Sequence, residues 1–553
     1  MTPYPARLLA CATTAALLLA ACQSPADHLA KADQAAYAIV SAKRADLARD
    51  AERFSIEPRA DSLRLRLLGG TGVAEELSLV ECLAIADETN RQWQDRRESL
   101  YLQALDLALE RWRFGWIPEG GGAAELDGDG DGADTATGSL GLELSKVLGS
   151  GALLLADLGL SLTRDLSTGD AWTTTGDFGF SLTQPLLRGF GSAITLEPLT
   201  QAERDVVYAA RDYERFRRTL AVQVADRYYR ILQQADEFDN ERTNYENLMK
   251  LRERNEGLAQ AGRLSDIQVN QALQDELRAE SRVLQAEQRL AGLLDDFKVF
   301  LGLPVHCALS IDRAELARLA ERGIDDLPIT EETAVRFALA ERLDLANLRG
   351  AIEDAERAVR IAVDDLRMGI DVIASGGGTS EDDQPLKFQD GGIDWALTLD
   401  IDFALDRRPQ RNAFRAALIA LQAAGRAREQ LEDQITADLR DLLRTLVQLR
   451  AELEIQTNSV GLAERRVEST RLNFDAGRAE TRDLLEAQEA LVTAQNAATR
   501  ARIDYELARL ALFRDLEALR VEEGRYDVDD EFAARLERID PAPAPEPAQV
   551  PQP

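Results

Sequence analysis

The sequence predicts a mainly α-helical chain with a β portion, laid out as one plan performed twice. Three observations carry this. Apolar residues step by three or four over stretches longer than an ordinary globular helix. Between those stretches the period switches to two. The turn Ala261-Gly262-Arg263 returns as Ala476-Gly477-Arg478, 215 residues further on, and an internal repeat decides a fold more than a single motif does.

Composition agrees and excludes several functions. The 553 residues carry 65 basic and 97 acidic side chains, a net charge of −32. So acidic a chain is a poor partner for a nucleic-acid backbone, whose phosphates need basic groups. There is no Gly-x-x-x-x-Gly-Lys-Ser/Thr loop, so the chain does not itself drive work with ATP. His28, His306 and four cysteines leave little for metal or nucleophile chemistry. Cys82 and Cys307, both near helix ends, leave a periplasmic disulfide open beside the favoured reading of two unpaired small residues, and His306 beside Cys307 is too few ligands for a metal site. No cofactor is called for, and an enzyme is the least expected class.

The chain opens on an address. Arg7 precedes a mostly apolar run from Leu8 to Ala21, too short to span a bilayer but suited to a signal peptide. Leu19-Ala20-Ala21-Cys22 resembles a bacterial lipobox, which makes Cys22 the expected lipidated first residue of the mature chain. By the same resemblance, Gln23 after it favours the outer membrane. Residues 1–21 are thus a signal peptide and 22–75 a lipid-anchored arm. No later stretch is apolar for 18 residues; membrane β-strands, whose hydropathy signal is weak, remain compatible.

A helix is expected over Ser78–Phe114, stopped by Pro118 and the glycines at 120–122. Residues 123–138 are acidic and glycine-rich. Asp127, Asp129 and Asp131 before Gly132 imitate the start of a calcium loop, but the twelfth position is Gly138 and not Glu. The segment is read as a solvated loop, with one short extra strand around Ser139–Ser145. In Leu154–Thr163, Leu158, Leu160 and Leu162 alternate with Asp157, Gly159 and Ser161. Phe178 and Phe180 alternate with Asp177 and Gly179. These are strands with one apolar and one polar face. Helical period then persists from Ile194 to Gly257. At 1.5 Å per residue, roughly 60 residues make a rod of about 90 Å, the length of a coiled coil. The Gly262 turn leads to a helix over Ser265–Leu301.

The second pass begins at Pro328 with a helix to Arg367. Ile370–Ser375 is strand-like, Gly376–Gly392 reads as a loop, and the clearest strand follows. There Trp395, Leu397, Leu399, Ile401 and Phe403 alternate with Asp394, Thr398, Asp400 and Asp402. A long helix, Asn412–Phe474, ends at the Gly477 turn, and a last helix runs to Leu519. The repeats span 76–304 and 328–520, joined by a linker at 305–327. A proline-rich tail is expected over 521–553.

With the repeat in hand, the sequence resembles the TolC-like outer-membrane efflux protein family. Leu182-Thr183-Gln184-Pro185-Leu186-Leu187-Arg188-Gly189 is similar to its strand-to-helix junction. The two Ala-Gly-Arg turns are similar to its hairpin tips, Asp483-Leu484-Leu485-Glu486-Ala487-Gln488 to the acidic segment after the tip, and Leu301-Gly302-Leu303-Pro304 to the end of its first repeat. The resemblance implies a homotrimer in which four strands per chain complete a 12-stranded membrane barrel, with a periplasmic tunnel of long helices. It implies a passive exit duct for an efflux or type I secretion system, partnered by a periplasmic adaptor and an inner-membrane pump. Asp483 and Glu486 would gate the tunnel mouth. Gly262, Arg263, Leu264, Gly477, Arg478 and Ala479 would be the docking tips. The lipid face of the barrel would be Trp395, Leu397, Leu399, Ile401, Phe403, Leu158, Leu160, Leu162, Phe178 and Phe180, and its lumen would hold Asp394, Thr398 and Asp400. A non-pore periplasmic scaffold or an adaptor lipoprotein is the competing reading. Two hairpins in a duplicated plan argue against an adaptor, and two-faced strands argue against a scaffold.

Overall fold

The computed structural model describes residues 24–45, 54–57, 76–128, 134–168, 171–323, 329–403, 405–522, 525–528 and 532–538. The signal peptide, Cys22 and the aspartates at 129 and 131 lie outside them. In chain order the elements are α1 (Pro25–Ala45), β1 (Glu76–Leu77), α2 (Leu79–Thr89), α3 (Arg91–Arg113), β2 (Ile117–Gly128), β3 (Asp134–Val147), β4 (Leu153–Asp165) and β5 (Thr173–Pro185). Then come α4 (Ser192–Thr195), α5 (Glu197–Gln260), α6 (Asp266–Phe300), β6 (Ser310–Ile311), α7 (Ala314–Arg322), α8 (Glu331–Glu341) and α9 (Leu343–Asp364). The last are β7 (Gly369–Glu381), β8 (Gln384–Asp402), α10 (Arg408–Asp475), α11 (Thr481–Asp515), β9 (Leu519–Glu522), β10 (Arg525–Val528) and α12 (Phe532–Arg538).

The duplication is visible in the caps. Ser78 and Thr330, 252 positions apart, each accept a hydrogen bond from the amide three residues on, at Glu81 and Thr333. The Glu81 carboxylate in turn accepts from the Ser78 amide, which completes a capping box. The single helix expected in each repeat is two. It breaks at Asn90 and at Arg342, again 252 apart, with φ/ψ of −65°/125° and −63°/125°. An extended residue cannot continue the α ladder, but each still donates its N–H back to the carbonyl four residues earlier.

The chain divides into two compact units, one of residues 1–55, 98–211 and 347–428, the other of residues 56–97, 212–346 and 429–553. The first contains a six-stranded antiparallel sheet in the order β2-β3-β4-β5-β7-β8. This corrects the expectation of four strands per chain. Residues 117–128 and 134–147 form a full hairpin, with pairs from Ile117↔Ser145 to Gly128↔Asp134. The glycine-rich, acidic β2 has almost no apolar alternation of its own to read; its ladder to β3 holds it. The loop expected at 376–392 is also strand on both sides of a turn at 382–383.

In the same unit α1 is packed and not loose. Ala36, Ile39 and Val40 are buried, Tyr37 meets the rings of Phe54 and Tyr101, and the Tyr101 hydroxyl donates to Asp33 at 2.7 Å. Helices α5 and α9 are joined by a polar cluster. Asp354 accepts from the Tyr208 hydroxyl at 2.7 Å and from Arg357 at 2.8 Å, and pairs with Arg204 at 2.6 Å. Arg357 reaches Glu197 as well.

The second unit holds the repeats' helical cores. Trp93 stacks on Tyr213 at 4.5 Å. β1 and β6 pair in parallel, and the buried Tyr228 hydroxyl donates to the carbonyls of Leu77 and Asp312. Glu517, nearly inaccessible, binds Arg215 and Arg218 at 2.6 Å each. The segment expected as a tail starts as structure: β9 and β10 form a hairpin, and Phe532 of α12 packs edge-on against Phe337 and Phe513.

The Asp354 cluster sets an acid dependence. Burial alone would raise this carboxyl; hydrogen bonds from Tyr208 and Arg357 and the Arg204 charge outweigh it and hold it below the usual range. A depressed folded value means that the contribution is complete above the unfolded Asp range, about pH 4, and is lost as pH falls through the folded value. Asp354→Asn should therefore lower the thermal midpoint at pH 7 and narrow the gap to wild type below pH 3. An equal deficit at both pH values would remove this role.

Candidate functional site

Strand register sorts the sheet into two faces. One face carries Leu140, Leu142 and Leu144 on β3, opposite Leu160, Leu158 and Ala156 on β4. Those face Gly176, Phe178 and Phe180 on β5, and Phe178 and Phe180 lie opposite Gly378 and Gly376 on β7. The row ends on β8, where Ile393, Trp395, Leu397, Leu399 and Ile401 continue it. The Phe180 ring lies over Gly376, so close that a Cβ there would sit 2.7 Å from it. Phe178 meets Phe388 edge-on at 4.8 Å. Trp395 is 79% exposed and Leu397 68%. A contiguous apolar face this open is compatible with lipid and costly in water. Phe403 is exposed one residue beyond the end of β8, not within the strand.

The opposite face is polar. Asp394, Thr398 and Asp400 lie on it, as their spacing in the sequence requires. So do Asp157 and Asp177, which the period-two reading puts on a polar face, and Glu119 and Glu143, which it does not name. Glu119, Glu143 and Asp157 form one row across β2, β3 and β4. Asp157 lies opposite Gly179, and Asp177 opposite Gly159. Each carboxylate occupies the space that a side chain on the facing glycine would fill, at 2.5 Å and 2.3 Å from its ideal Cβ. Like charges directly opposite one another are destabilising in a sheet unless water screens them, which fits a wetted face. The alternation that would have exposed Glu119 was hidden among glycines.

The second feature is the pair of hairpin turns. Gly262 and Gly477 adopt φ of +69° and +71°, a left-handed conformation that costs most residues about 1–2 kcal/mol. Their hydrogen bonds match. The amides of Gly262 and Arg263 donate to Ala259 and Leu258, and those of Gly477 and Arg478 to Phe474 and Asn473. Both are Schellman closures, which satisfy the last free carbonyls of a helix. Arg263 and Arg478 are exposed; Leu264 and Ala479 are half-buried.

Near the turns the two hairpins are packed together. Leu248, Leu251 and Ala279 of the first form one cluster with Phe474, Leu484 and Leu485 of the second. Asn255 and Thr481, both fully buried, are joined by a 3.3 Å hydrogen bond, and Arg254 pairs with Asp475 at 2.5 Å while lying over the Phe474 ring. The sequence did not point to Asn255 or Thr481, since an Asn and a Thr 226 positions apart carry no local pattern. Asp483 is half-buried and accepts from the Glu480 amide at 3.0 Å, which makes it the third residue of a capping box. Glu486 is exposed, 3.7 Å from Arg482 and 3.9 Å from Arg466.

Among the described residues there is no cluster of metal-ligating side chains, and no helix is long and apolar enough to cross a membrane. Cys82 and Cys307 are free thiols, and burial pushes the Cys82 thiol far up.

The face assignment is testable. Leu399→Arg should impair membrane insertion by about 2–4 kcal/mol, the cost of a charge on a lipid face near mid-bilayer, whereas Thr398→Arg should insert almost as wild type. The readout is heat-modifiable protein in membrane fractions; equal loss in the two variants would overturn the faces.

Comparison with known proteins places this geometry. Residues 334–516 match the family described as outer membrane efflux protein. No curated relative matches the chain in sequence. Solved structures match in fold. The Vibrio cholerae outer membrane protein VceC aligns at TM-score 0.57 and 16% identity, over 79% of this chain and 95% of its own. The Campylobacter jejuni CmeC outer membrane channel gives 0.58 and 12%, over 88% and 93%. The Neisseria gonorrhoeae MtrE outer membrane channel gives 0.55 and 14%, over 84% and 95%. Residues 334–516 thus match the outer membrane efflux protein family, within a fold that most of the chain shares with solved outer-membrane channels.

Proposed function

We propose that three copies of this chain form a passive exit duct of a multipartite efflux or secretion system. The sheets supply the wall in the outer membrane and the paired hairpins a periplasmic tunnel. A periplasmic adaptor meets the turns at Gly262, Arg263, Leu264, Gly477, Arg478 and Ala479, and an inner-membrane pump supplies the energy. The observation that carries this reading is the sheet, apolar on one face and acidic on the other, in a chain that matches the outer membrane efflux family. A non-pore scaffold has no use for a lipid-compatible face.

Cys22 holds the mature chain to the membrane through a lipid. Cys22→Ser should abolish acyl labelling while trimers still form, because the strands are untouched; acylated Cys22→Ser protein would sink the anchor.

Asp483 and Glu486 share one face of α11 just past the second turn, three residues apart. In a trimer they place six carboxylates around the tunnel mouth and favour cations there. Asp483 has a structural duty too, since its loss removes a capping bond worth about 1 kcal/mol. Asp483→Asn with Glu486→Gln should reduce cation selectivity and block by multivalent cations in planar bilayers, with trimers intact. Full selectivity and block in the double variant would return both residues to the role of a solvated, capped helix start.

A further inference from the structure

We propose that the membrane barrel is an 18-stranded one, six strands from each of three chains, closed by pairing of β2 with β8 of the next copy. The inference rests on the trimeric reading above and departs from its 12-strand expectation.

Four observations carry it. First, the inner strands are taken. β4 pairs with β3 from Thr135↔Asp165 to Val147↔Leu153 and with β5 on its other side. It has no edge left to offer a neighbour. Only β2 and β8 end the sheet. Second, those two edges cannot stay open in a membrane. Each unpaired backbone group in hydrocarbon costs several kcal/mol, and lipid offers no partner. Third, the directions fit. Every neighbouring pair is antiparallel, so across six strands β2 and β8 run oppositely. A copy rotated about a common axis then presents β8 antiparallel to β2, and the ladder continues without a change of type. Fourth, β2 is long enough and correctly faced. Its 12 residues reach about 40 Å at 3.3 Å each. Tilted by about 40°, that covers the apolar band of a membrane barrel. Pro118, Gly120, Gly122, Ala124 and Leu126 continue the apolar face, and Glu119, Glu125 and Asp127 continue the acidic one.

The alternative keeps 12 strands and leaves the β2–β3 hairpin outside the ring. That would require β4 to exchange its full ladder with β3 for one with the neighbour's β8. It would also leave the Leu140, Leu142 and Leu144 face without its place in the wall. Barrel diameter grows roughly linearly with strand number, so 18 strands make a bore about half as wide again as 12.

Cysteine pairing tests this in the full-length protein, in a Cys307→Ser background. One set combines Gly121→Cys, Ala123→Cys or Glu125→Cys on β2 with Ala396→Cys, Thr398→Cys or Asp400→Cys on β8, nine pairs that sample the register. A second set combines Asp157→Cys, Gly159→Cys or Ser161→Cys on β4 with the same β8 positions. Gly121→Cys with Gly141→Cys, partners within one chain, reports that the hairpin has formed. After oxidation in outer-membrane vesicles, a ladder of covalent dimers and trimers from the β2–β8 set alone is the expected result. A ladder from the β4–β8 set alone overturns the 18-stranded barrel and leaves the trimer standing. Intact trimers on native gels with no β2–β8 ladder overturn it too. Monomers throughout remove the trimeric reading and this proposal together.

Discussion

The structure depends on a rule of backbone chemistry: in hydrocarbon, each strand N–H and C=O must find a partner in protein. One chain cannot obey it. Its sheet is satisfied along five ladders and open along β2 and β8, and its apolar face exposes Trp395, Leu397 and Leu399. In the proposed trimer, closure comes from the other copies. The same rule explains why the chain enters and leaves the sheet at one end of each hairpin. An even strand count returns the backbone to the side where helices can take over and satisfy it internally.

The helical portions solve a different problem. Helices as long as α5 and α10 gain stability from packing along a seam, not from propensity. Small residues make that seam close: Ala272, Ala279 and Ala286 recur every seven positions on α6, and Ala487, Ala494 and Ala501 do so on α11. A seven-residue recurrence is the signature of left-handed coiled-coil packing. The two turns end the hairpins with the same hydrogen bonds, and the Asn255–Thr481 bond and the Leu248–Phe474 cluster join one hairpin to the other. A polar bond inside an apolar cluster fixes how the hairpins meet, because any slip would leave a buried amide unpaired.

Much of this was legible in the sequence. Leu158 to Leu162 and Trp395 to Ile401 announced their strands through period two, and Gly262 and Gly477 announced their turns. The acids at 394 and 400 fell on the polar face because alternation left no other place for them. What escaped had physical causes. β2 is built of Gly, Ala and acids, which have poor strand propensity; only the neighbouring β3 makes it a strand. The breaks at Asn90 and Arg342 involve neither glycine nor proline, and both fall within otherwise helical sequence. The Asn255–Thr481 contact is tertiary and leaves no trace in local pattern.

The parallel pair β1–β6 is small, yet it joins residues 234 positions apart, Glu76 and Ser310. The α5–α6 hairpin contact between Arg252 and Glu276 spans 24. Loop-closure entropy rises as three-halves RT times the logarithm of loop length, so the longer closure costs about 2 kcal/mol more. Two ladder residues cannot offset that alone. The Tyr228 hydroxyl, donating to carbonyls on both sides of the pair, and the burial of Leu77 and Ile311 supply the remainder. The tyrosine of α5 thus ties together two strands too short to hold one another.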